Sequence, residues 1–455
     1  MALKGTDIVK KLPEGGKKNC KECGFPTCFA FAMKLATGGV AITKCSYLPA
    51  DIRAELEDAL APPIKLVTIG SGAEALKIGN EEVMYRHEKT FVHAPGIALL
   101  IADTESDASV DTKVRKITEM QFPWVGRTLK ADMLALHNKS ADKDKFEALV
   151  TKVSAATTCP LMLMSDNAET LLAACKLCSD KRPLLYAVTK ENIDTIIAGI
   201  KSAPVPVVVK AGSIEELIPL TTKLKDSGIE EIVLDPVSKT MQDMIRNQTF
   251  IRRAALKQNF RPLGYPTLSL PCFMTNDHEK EVLLAAMGVI KYTGIIVVSD
   301  MQPNTLFPLL VQRLNIYTDP RIPMAVEEKL YPIGEPTTES PVLITSNWAL
   351  TYFIVASEIE NSKVASWLCV KDTEGLGVLT GWAAGKFSGD SIGPFIKKLG
   401  MESKVNHKRL VIPGLVARIK SELEDALAGW EIIVGPKEAS EIPTYLPALV
   451  RKWKT

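Results

Sequence analysis

Between residues 97 and 298, eight short apolar runs recur at near-regular intervals, with an amphipathic stretch after each. They occupy 97–102, 133–136, 161–164, 184–188, 205–209, 232–234, 267–270 and 295–298. Runs this short, without polar alternation, suit strands buried on both faces, and such strands need cover from both sides. The amphipathic stretches supply it as crossover helices between parallel neighbours. Eight such repeats predict a central (β/α)8 TIM barrel within an α/β chain.

Residues directly after these runs include Asp103, His137, Asn138, Asp166, Asn167, Lys210, Asp235 and Asp300. In a barrel they share the C-terminal face, where ligands bind. The plainer expectation for each Asp or Asn is that it caps the following helix.

Pro/Gly punctuation separates flanking parts from the barrel. A small module over 1–61 ends at Ala61-Pro62-Pro63, and the barrel is expected over 62–316. Residues 317–341 hold Pro320, Pro323, Pro332, Pro336 and Pro341 with little apolar periodicity, and read as a semi-stiff, extended linker. A C-terminal domain follows over 342–455. Strands are expected at 342–345, 365–370, 409–412 and 430–434, with helices at 347–359, from Asp390 and at 415–427. That alternation predicts a doubly wound (Rossmann-like) parallel sheet with ligand loops at the strand ends. The loops hold Thr345-Ser346-Asn347, Gly375 to Gly381, Pro413-Gly414 and Gly435-Pro436. Glycines there admit close approach of backbone to a large ligand, and the hydroxyls can bond its polar groups; ordinary turns would have a similar composition.

The N-terminal module carries Cys20, Cys23, Cys28 and Cys45, spaced C-x2-C-x4-C-x16-C. Four soft thiolates on so short a segment suit one iron–sulfur cluster. Gly24 and Pro26 keep the loop compact, so that backbone N–H groups can approach the sulfurs. Zinc is the rival; it prefers two C-x2-C knuckles, and the second is missing. A disulfide framework fits poorly with a large chain lacking a secretory apolar segment.

Composition narrows the classes further. The 455 residues are 46% hydrophobic and 24% charged, as in soluble globular proteins. A net charge of +2 gives no general attraction to nucleic acid or membrane, and no apolar run is long enough to span a bilayer. Nine cysteines fit a reducing cytoplasm. Cys175 and Cys178 form a C-x2-C on a helix, where core packing is expected, as for lone Cys159, Cys272 and Cys369. Gly70-Ser-Gly72-Ala-Glu-Ala75 matches a dinucleotide fingerprint, but Gly79-Asn80 interrupts the helix it needs. A hairpin before the barrel is expected instead, with a strand at 83–85.

The run KNCKECGFPTCFAFAMKLATGG, the barrel pattern and the run VLTGWAAGKFSGD, in this order, resemble the large (gamma) subunits of corrinoid iron–sulfur proteins of the acetyl-CoA synthase/decarbonylase pathway. The resemblance covers essentially the whole chain. It implies a methyl carrier whose cobalt corrinoid (a cobamide) accepts a methyl group from a methyltetrahydropterin:corrinoid methyltransferase and delivers it to acetyl-CoA synthase/CO dehydrogenase. It also implies a heterodimer with a homologous small subunit, a C-terminal domain that swings on the linker, and a low-potential electron donor. Carried onto this sequence, the [4Fe-4S] ligands are Cys20, Cys23, Cys28 and Cys45, and the cluster reactivates Co(II) to Co(I). The corrinoid contacts are Thr345, Ser346, Asn347, Phe353, Thr373, Gly377, Val378, Leu379, Thr380, Gly381, Pro413, Gly414 and Gly435. Thr380 is the candidate to face the cobalt's lower side, with Thr373 as alternative.

Many cobalamin domains carry Asp-x-His-x-x-Gly, whose histidine ligates cobalt. None of His87, His93, His137, His278 or His407 sits in that motif. A base-off corrinoid without a strong lower donor is easier to reduce, which suits a carrier that must reach Co(I). Two other classes stay open from sequence: a pterin-dependent methyltransferase using Asp166, Asn167 and Asp235, and an iron–sulfur electron-transfer module on a scaffold barrel.

Overall fold

The computed structural model describes residues 4–124, 127–318 and 324–453. The chain divides into two compact units. One comprises residues 1–120 and 130–317, the other residues 121–129 and 318–455.

The first unit opens with the cysteine-bearing segment. Helices Gly5–Lys11 and Cys28–Ala36 pack together, and Ala50–Leu60 follows. Ile8, Leu12, Phe31, Leu35 and Leu56 form a small core of their own. Thr27 caps the second helix, its Oγ1 accepting from the Ala30 N–H at 3.1 Å. Arg261 of the barrel donates to the carbonyls of Ala59, Ala61 and Pro62 at 3.1–3.2 Å, which fixes the exit of the third helix.

All eight apolar runs are strands: β1 Gly96–Ala102, β2 Met133–His137, β3 Leu161–Met164, β4 Leu184–Val188, β5 Val207–Lys210, β6 Ile232–Asp235, β7 Leu268–Ser269 and β8 Ile295–Val298. Each neighbouring pair that forms a ladder is parallel, and β1 pairs with both β2 and β8. A single bridge between Leu234 and Thr267 closes the ring. Most strand side chains are fully buried, and each buried Leu, Ile or Val contributes about 1.5–3 kcal/mol.

A hairpin of Val67–Ile69 and Leu76–Ile78 covers the N-terminal end of the barrel. Its N–H groups at Thr68 and Gly70 donate to Glu231 and to the Arg182 carbonyl, both just ahead of strands, and Val67, Ile69 and Ile78 join the barrel interior. The hairpin was expected, but its second strand is 76–78; residues 83–85 are irregular. The Gly70–Ala75 stretch makes the turn, so it opens no dinucleotide site.

In the second unit, β9 Lys329–Ile333, β10 Val342–Ser346, β11 Ser366–Lys371, β12 Arg409–Ile412 and β13 Glu431–Val434 form one sheet in the order β9-β11-β10-β12-β13. The last four are parallel; β9 is an antiparallel edge. Alternate residues face opposite layers. Val342 and Ile344 pack toward helices Gly389–Lys398 and Lys420–Ala426, while Leu343 packs toward Ala349–Asn361 and Ile442–Trp453. Helices thus cover both faces.

Edge strand β9 corrects the expectation of an extended tether over 317–341. Lys329–Ile333 pairs along its length with β11, and Ile333 is buried. Pro332 is tolerated because an edge strand leaves one side of its backbone unpaired. Pro320 and Pro323 lie outside the described residues. The Phe122–Trp124/Arg127–Leu129 hairpin groups with the second unit, although it interrupts the barrel sequence.

Candidate functional site

The four N-terminal cysteines lie on a segment that is tightly turned and tied to itself by side-chain hydrogen bonds. Asn19, Lys21 and Gly24 all adopt positive φ, which winds the Cys20–Cys23 segment tightly. Asn19 Oδ1 accepts from the Cys28 N–H at 2.8 Å, so the loop is tied to the start of the next helix. Glu22 accepts from Ser46 Oγ at 2.9 Å and Tyr47 OH at 2.6 Å, joining the same loop to the segment after Cys45. Arg53 donates to the Cys45 carbonyl at 3.3 Å. Cys45 is buried and the other three thiols are half-buried. Burial pushes the Cys45 thiol up, the Tyr47 N–H opposes this, and Cys23, Cys20 and Cys28 each push it further, so the four sulfurs share one electrostatic neighbourhood. Among the described residues, no three His, Cys, Asp or Glu side chains are close enough to hold a single metal ion.

The second candidate site lies in the C-terminal sheet. Strands β10 and β12 are adjacent, and the chain leaves them toward opposite edges, so a crevice opens beyond their C-terminal ends. A cavity of about 300 Å³ occupies it. Its walls are mainly apolar, with Leu343, Ile344, Trp348, Val355, Val411 and Ile412 at the sides. Thr345, Gly377, Val378, Leu379, Thr380, Pro413 and Gly435 also line it. The surrounding surface is apolar as well: Leu350, Phe353, Ile354, Leu379 and Leu415 are all exposed.

Two glycines are required by close contacts. A Cβ on Gly377 would lie 2.9 Å from the Trp348 ring, and one on Gly414 would lie 2.6 Å from the Gly435 carbonyl oxygen. Thr345 is 1% exposed, and its Oγ1 has no hydrogen-bond partner among the described residues. An unpaired hydroxyl at the wall of an apolar cavity costs free energy that a ligand atom could recover.

The other sequence candidates take supporting positions. Asn347 is buried and accepts from the N–H groups of Thr373 and Gly375 and from the Thr373 hydroxyl. Thr373 is fully buried, and its hydroxyl also lies 2.7 Å from the Leu376 carbonyl, so its one proton is shared between the Asn347 and Leu376 oxygens. Ser346 is buried, and Gly381 backs onto Thr373. Phe353 stands exposed outside the cavity wall. Residues 378–383, expected as open loop, form a short helix, so Leu379 and Thr380 project from its first turn. Trp348, Val355, Leu415 and Pro436 also line the cavity; apolar residues directly after β10 were the available signal. No histidine lines it; His407 precedes β12, at the opposite end of that strand, and its Nε2 lies 3.0 Å from the Ser340 carbonyl oxygen.

The polar residues of the barrel's C-terminal face are engaged with one another. Asn167 caps a helix through Thr170, Asp103 accepts from Ser140, and Asp300 pairs with Lys116 at 2.6 Å. Asp235 is buried and accepts from Tyr186 OH at 2.8 Å; burial pushes its carboxyl up despite that bond. Burial lowers the His137 imidazole. Lys210 stands 3.7 Å from Asp166. Capping therefore accounts for Asn167, while Asp103, Asp235 and Asp300 are held by neighbouring side chains.

Fold and sites define an α/β protein of three parts: a four-thiol module, a closed barrel and an open sheet with an apolar crevice. Residues 66–446 match the family described as CO dehydrogenase/acetyl-CoA synthase delta subunit, and residues 16–47 match one described as putative Fe-S cluster. The corrinoid/iron-sulfur protein large subunit of Moorella thermoacetica is 41% identical over 448 residues, covering 98% of this chain and 99% of the relative. The acetyl-CoA decarbonylase/synthase complex subunit gamma of Methanopyrus kandleri is 34% identical, covering 98% and 97%. The chain belongs to this family of corrinoid/iron–sulfur protein large subunits and acetyl-CoA decarbonylase/synthase gamma subunits. A dihydropteroate synthase from Xanthomonas albilineans is similar over 50% of this chain and 95% of its own, with 15% identity and a TM-score of 0.37; the barrel assignment rests instead on strand register. No helix among the described residues is long and apolar enough to cross a membrane.

Proposed function

We propose that the protein is the methyl-carrying large subunit of a corrinoid iron–sulfur complex, with a [4Fe-4S] cluster on Cys20, Cys23, Cys28 and Cys45 and a base-off cobalt corrinoid seated at the crevice between β10 and β12. When bound, the corrinoid supplies the methyl-accepting and methyl-donating centre, and the cluster a one-electron path for restoring its reduced state. The observation that carries the reading is the crevice: apolar, free of histidine, and accompanied by exposed apolar side chains on the elements that form it.

The cavity is too small for a whole corrinoid and suits one arm of it, with the rest lying over Leu379, Phe353 and Leu415. Gly377 and Gly414 let the loops pack closely enough to shape the walls. Asn347 orders the Thr373–Gly375 loop beneath. Thr345 offers a hydroxyl to a polar atom of the inserted arm. Thr380 is favoured to face the cobalt's lower side because it lines the cavity, whereas the Thr373 hydroxyl is committed to Asn347 and Leu376. The mutual engagement of the barrel's polar residues favours a scaffold role for the barrel over a pterin site. The implied partners are a homologous small subunit, a methyltetrahydropterin:corrinoid methyltransferase, acetyl-CoA synthase/CO dehydrogenase and a low-potential electron donor, all in the cytoplasm.

The test is composition and spectroscopy of anaerobically purified protein. About four iron and four sulfide per chain are expected, with corrinoid absorption bands and a Co(II) resonance free of histidine nitrogen coupling. Cys23→Ala should lose most of the iron while retaining corrinoid. Stoichiometric zinc without iron, or clear nitrogen coupling from histidine, sinks the corresponding half of the reading.

A further inference from the structure

Edge strand β9 runs antiparallel to β11, so its first residue, Lys329, pairs with Val370 near the C-terminal end of β11. The residues ahead of β9 therefore arrive at the end of the sheet where the crevice opens. Met324 to Glu328 are bonded there. The Val326 N–H donates to the Asn347 carbonyl and the Ala349 N–H to the Met324 carbonyl, both at 2.9 Å, and Ala325 bridges to Trp348. Val326 is buried, in the core that holds Leu343, Ala349, Leu368 and Val370.

Glu328 reaches a second loop. Its Oε1 accepts from Lys371 Nζ at 2.5 Å and from the Asp372 N–H at 3.1 Å, and its Oε2 lies 3.8 Å from Lys398 Nζ. The Glu328 and Lys371 side chains are only 25% and 16% exposed, so water screens the pair weakly. Burial would raise the Glu328 carboxyl, but the bonds from Lys371 and the Asp372 N–H, with the charges of Lys371 and Lys398, hold it below the usual carboxylate range. A carboxylate bonded to a loop N–H in this setting holds the loop more firmly than a surface ion pair does.

Asp372 opens the loop that Asn347 orders, and the chain continues from it to Gly377, Val378, Leu379 and Thr380 on the cavity wall. Gly377 packs against the Trp348 ring, which lines the same cavity. One segment thus holds both the Trp348 turn and the Asp372 loop, and none of its five residues lines the cavity itself.

We propose that Glu328 is a positioning residue for the corrinoid: through Lys371 and the Asp372 N–H it sets the loop over 372–380 against Trp348, so that docking of 324–328 and occupation of the crevice support each other. This rests on the reading that the corrinoid sits at that crevice. Glu328 acts through the loop, not by contact with the cofactor. Coupling between two such equilibria is reciprocal, so the corrinoid tightens the 324–328 segment by the factor with which the segment tightens the corrinoid.

The test is an absorption-monitored titration of the corrinoid-free full chain with cob(II)alamin, joined to amide hydrogen exchange. Glu328→Ala should weaken binding about tenfold, as expected for one lost charge-assisted hydrogen bond. Glu328→Gln, whose amide oxygen can still accept from Asp372, should recover affinity to within about threefold of the parent. Arg409→Ala breaks an ion pair with Glu431 at the opposite ends of β12 and β13, and should leave affinity unchanged. Without corrinoid, Glu328→Ala should speed exchange of the Thr373 and Gly375 amides, both bonded to Asn347. Adding cob(II)alamin to the parent should slow exchange of the Val326 amide. Unchanged affinity in Glu328→Ala overturns the proposal. So does an equal loss in Arg409→Ala or Glu328→Gln, since the effect would then be general destabilisation or net charge rather than the bond to the loop. If the parent itself does not bind cob(II)alamin, the crevice reading falls, while the Thr373 and Gly375 exchange rates still decide whether Glu328 orders the loop.

Discussion

Asn347 Oδ1 accepts from both the backbone N–H and the hydroxyl of Thr373, each at 3.0 Å. The pair joins the end of β10 to the loop after β11, on the side of β10 away from β12. Asn347 also accepts from Gly375 N at 3.0 Å and donates to Asp372 Oδ1 at 2.8 Å, so one side chain organises the loop from Asp372 to Gly375.

Removing it should therefore cost much more than a typical surface substitution. Asn347→Ala strands two buried N–H groups and should destabilise the C-terminal unit by about 2–4 kcal/mol. Combined with Thr373→Val it should show a coupling energy of about 1 kcal/mol or more. All six tryptophans, Trp124, Trp348, Trp367, Trp382, Trp430 and Trp453, lie in that unit, so denaturation followed by tryptophan fluorescence reports it selectively. Additive losses would show that the two side chains act independently.

Thr345→Val should move stability and binding in opposite directions. Valine matches the shape of threonine and removes the unpaired hydroxyl, so the corrinoid-free protein should gain about 1 kcal/mol. Affinity for the corrinoid should fall by about fivefold to tenfold, as expected for one lost hydrogen bond. Thermal melts of the apoprotein and a corrinoid titration check the two signs; a variant that binds as well as the parent removes Thr345 from recognition.

Cys175 and Cys178 should be inert in the native protein. Burial pushes Cys175 up to about 11 and Cys178 up to about 12. At pH 8 the thiolate fraction is then about one in a thousand or less. Iodoacetamide should leave both unmodified natively and alkylate both in urea, read by peptide mass spectrometry. Native labelling of either would reopen a redox role for this C-x2-C.

Asp235 should make the barrel's stability depend on pH. Burial raises its folded pKa above the unfolded value of about 3.9. The folded state then keeps a proton over an interval where the unfolded state has lost it, so this group's contribution falls as pH rises from about 4 and levels off above the folded pKa. Asp235→Asn lacks that dependence and can still accept from Tyr186. Its melting temperature relative to the parent should rise with pH over the same interval; a constant difference would mean that the carboxyl is charged in both states.

The barrel was legible because local pattern and global fold agree. A strand covered on both faces must be apolar throughout, so all eight strands, from 97–102 to 295–298, stand out in the sequence. The four cysteines were legible as a close set for a similar reason, since their short spacing and the positive-φ residues between them are local properties of the chain. Edge strand β9 was not legible: Pro332 and exposed Lys329 mark it as linker, and the pairing with β11 that makes it a strand is a long-range contact. The same holds for the crevice. Sequence placed Gly377, Thr380 and Pro413 in ligand loops, but the walls from Trp348 and Val355 depend on how helix Ala349–Asn361 packs beside β10. Two threonines of similar local context, Thr373 and Thr380, are separated by burial alone, one beneath the loop and one on the cavity wall. Apolar periodicity and ligand spacing are fixed by local chemistry and belong to the sequence; which hydroxyl is buried, paired or left facing a cavity depends on the packing of elements distant in the chain, and only the tertiary structure decides it.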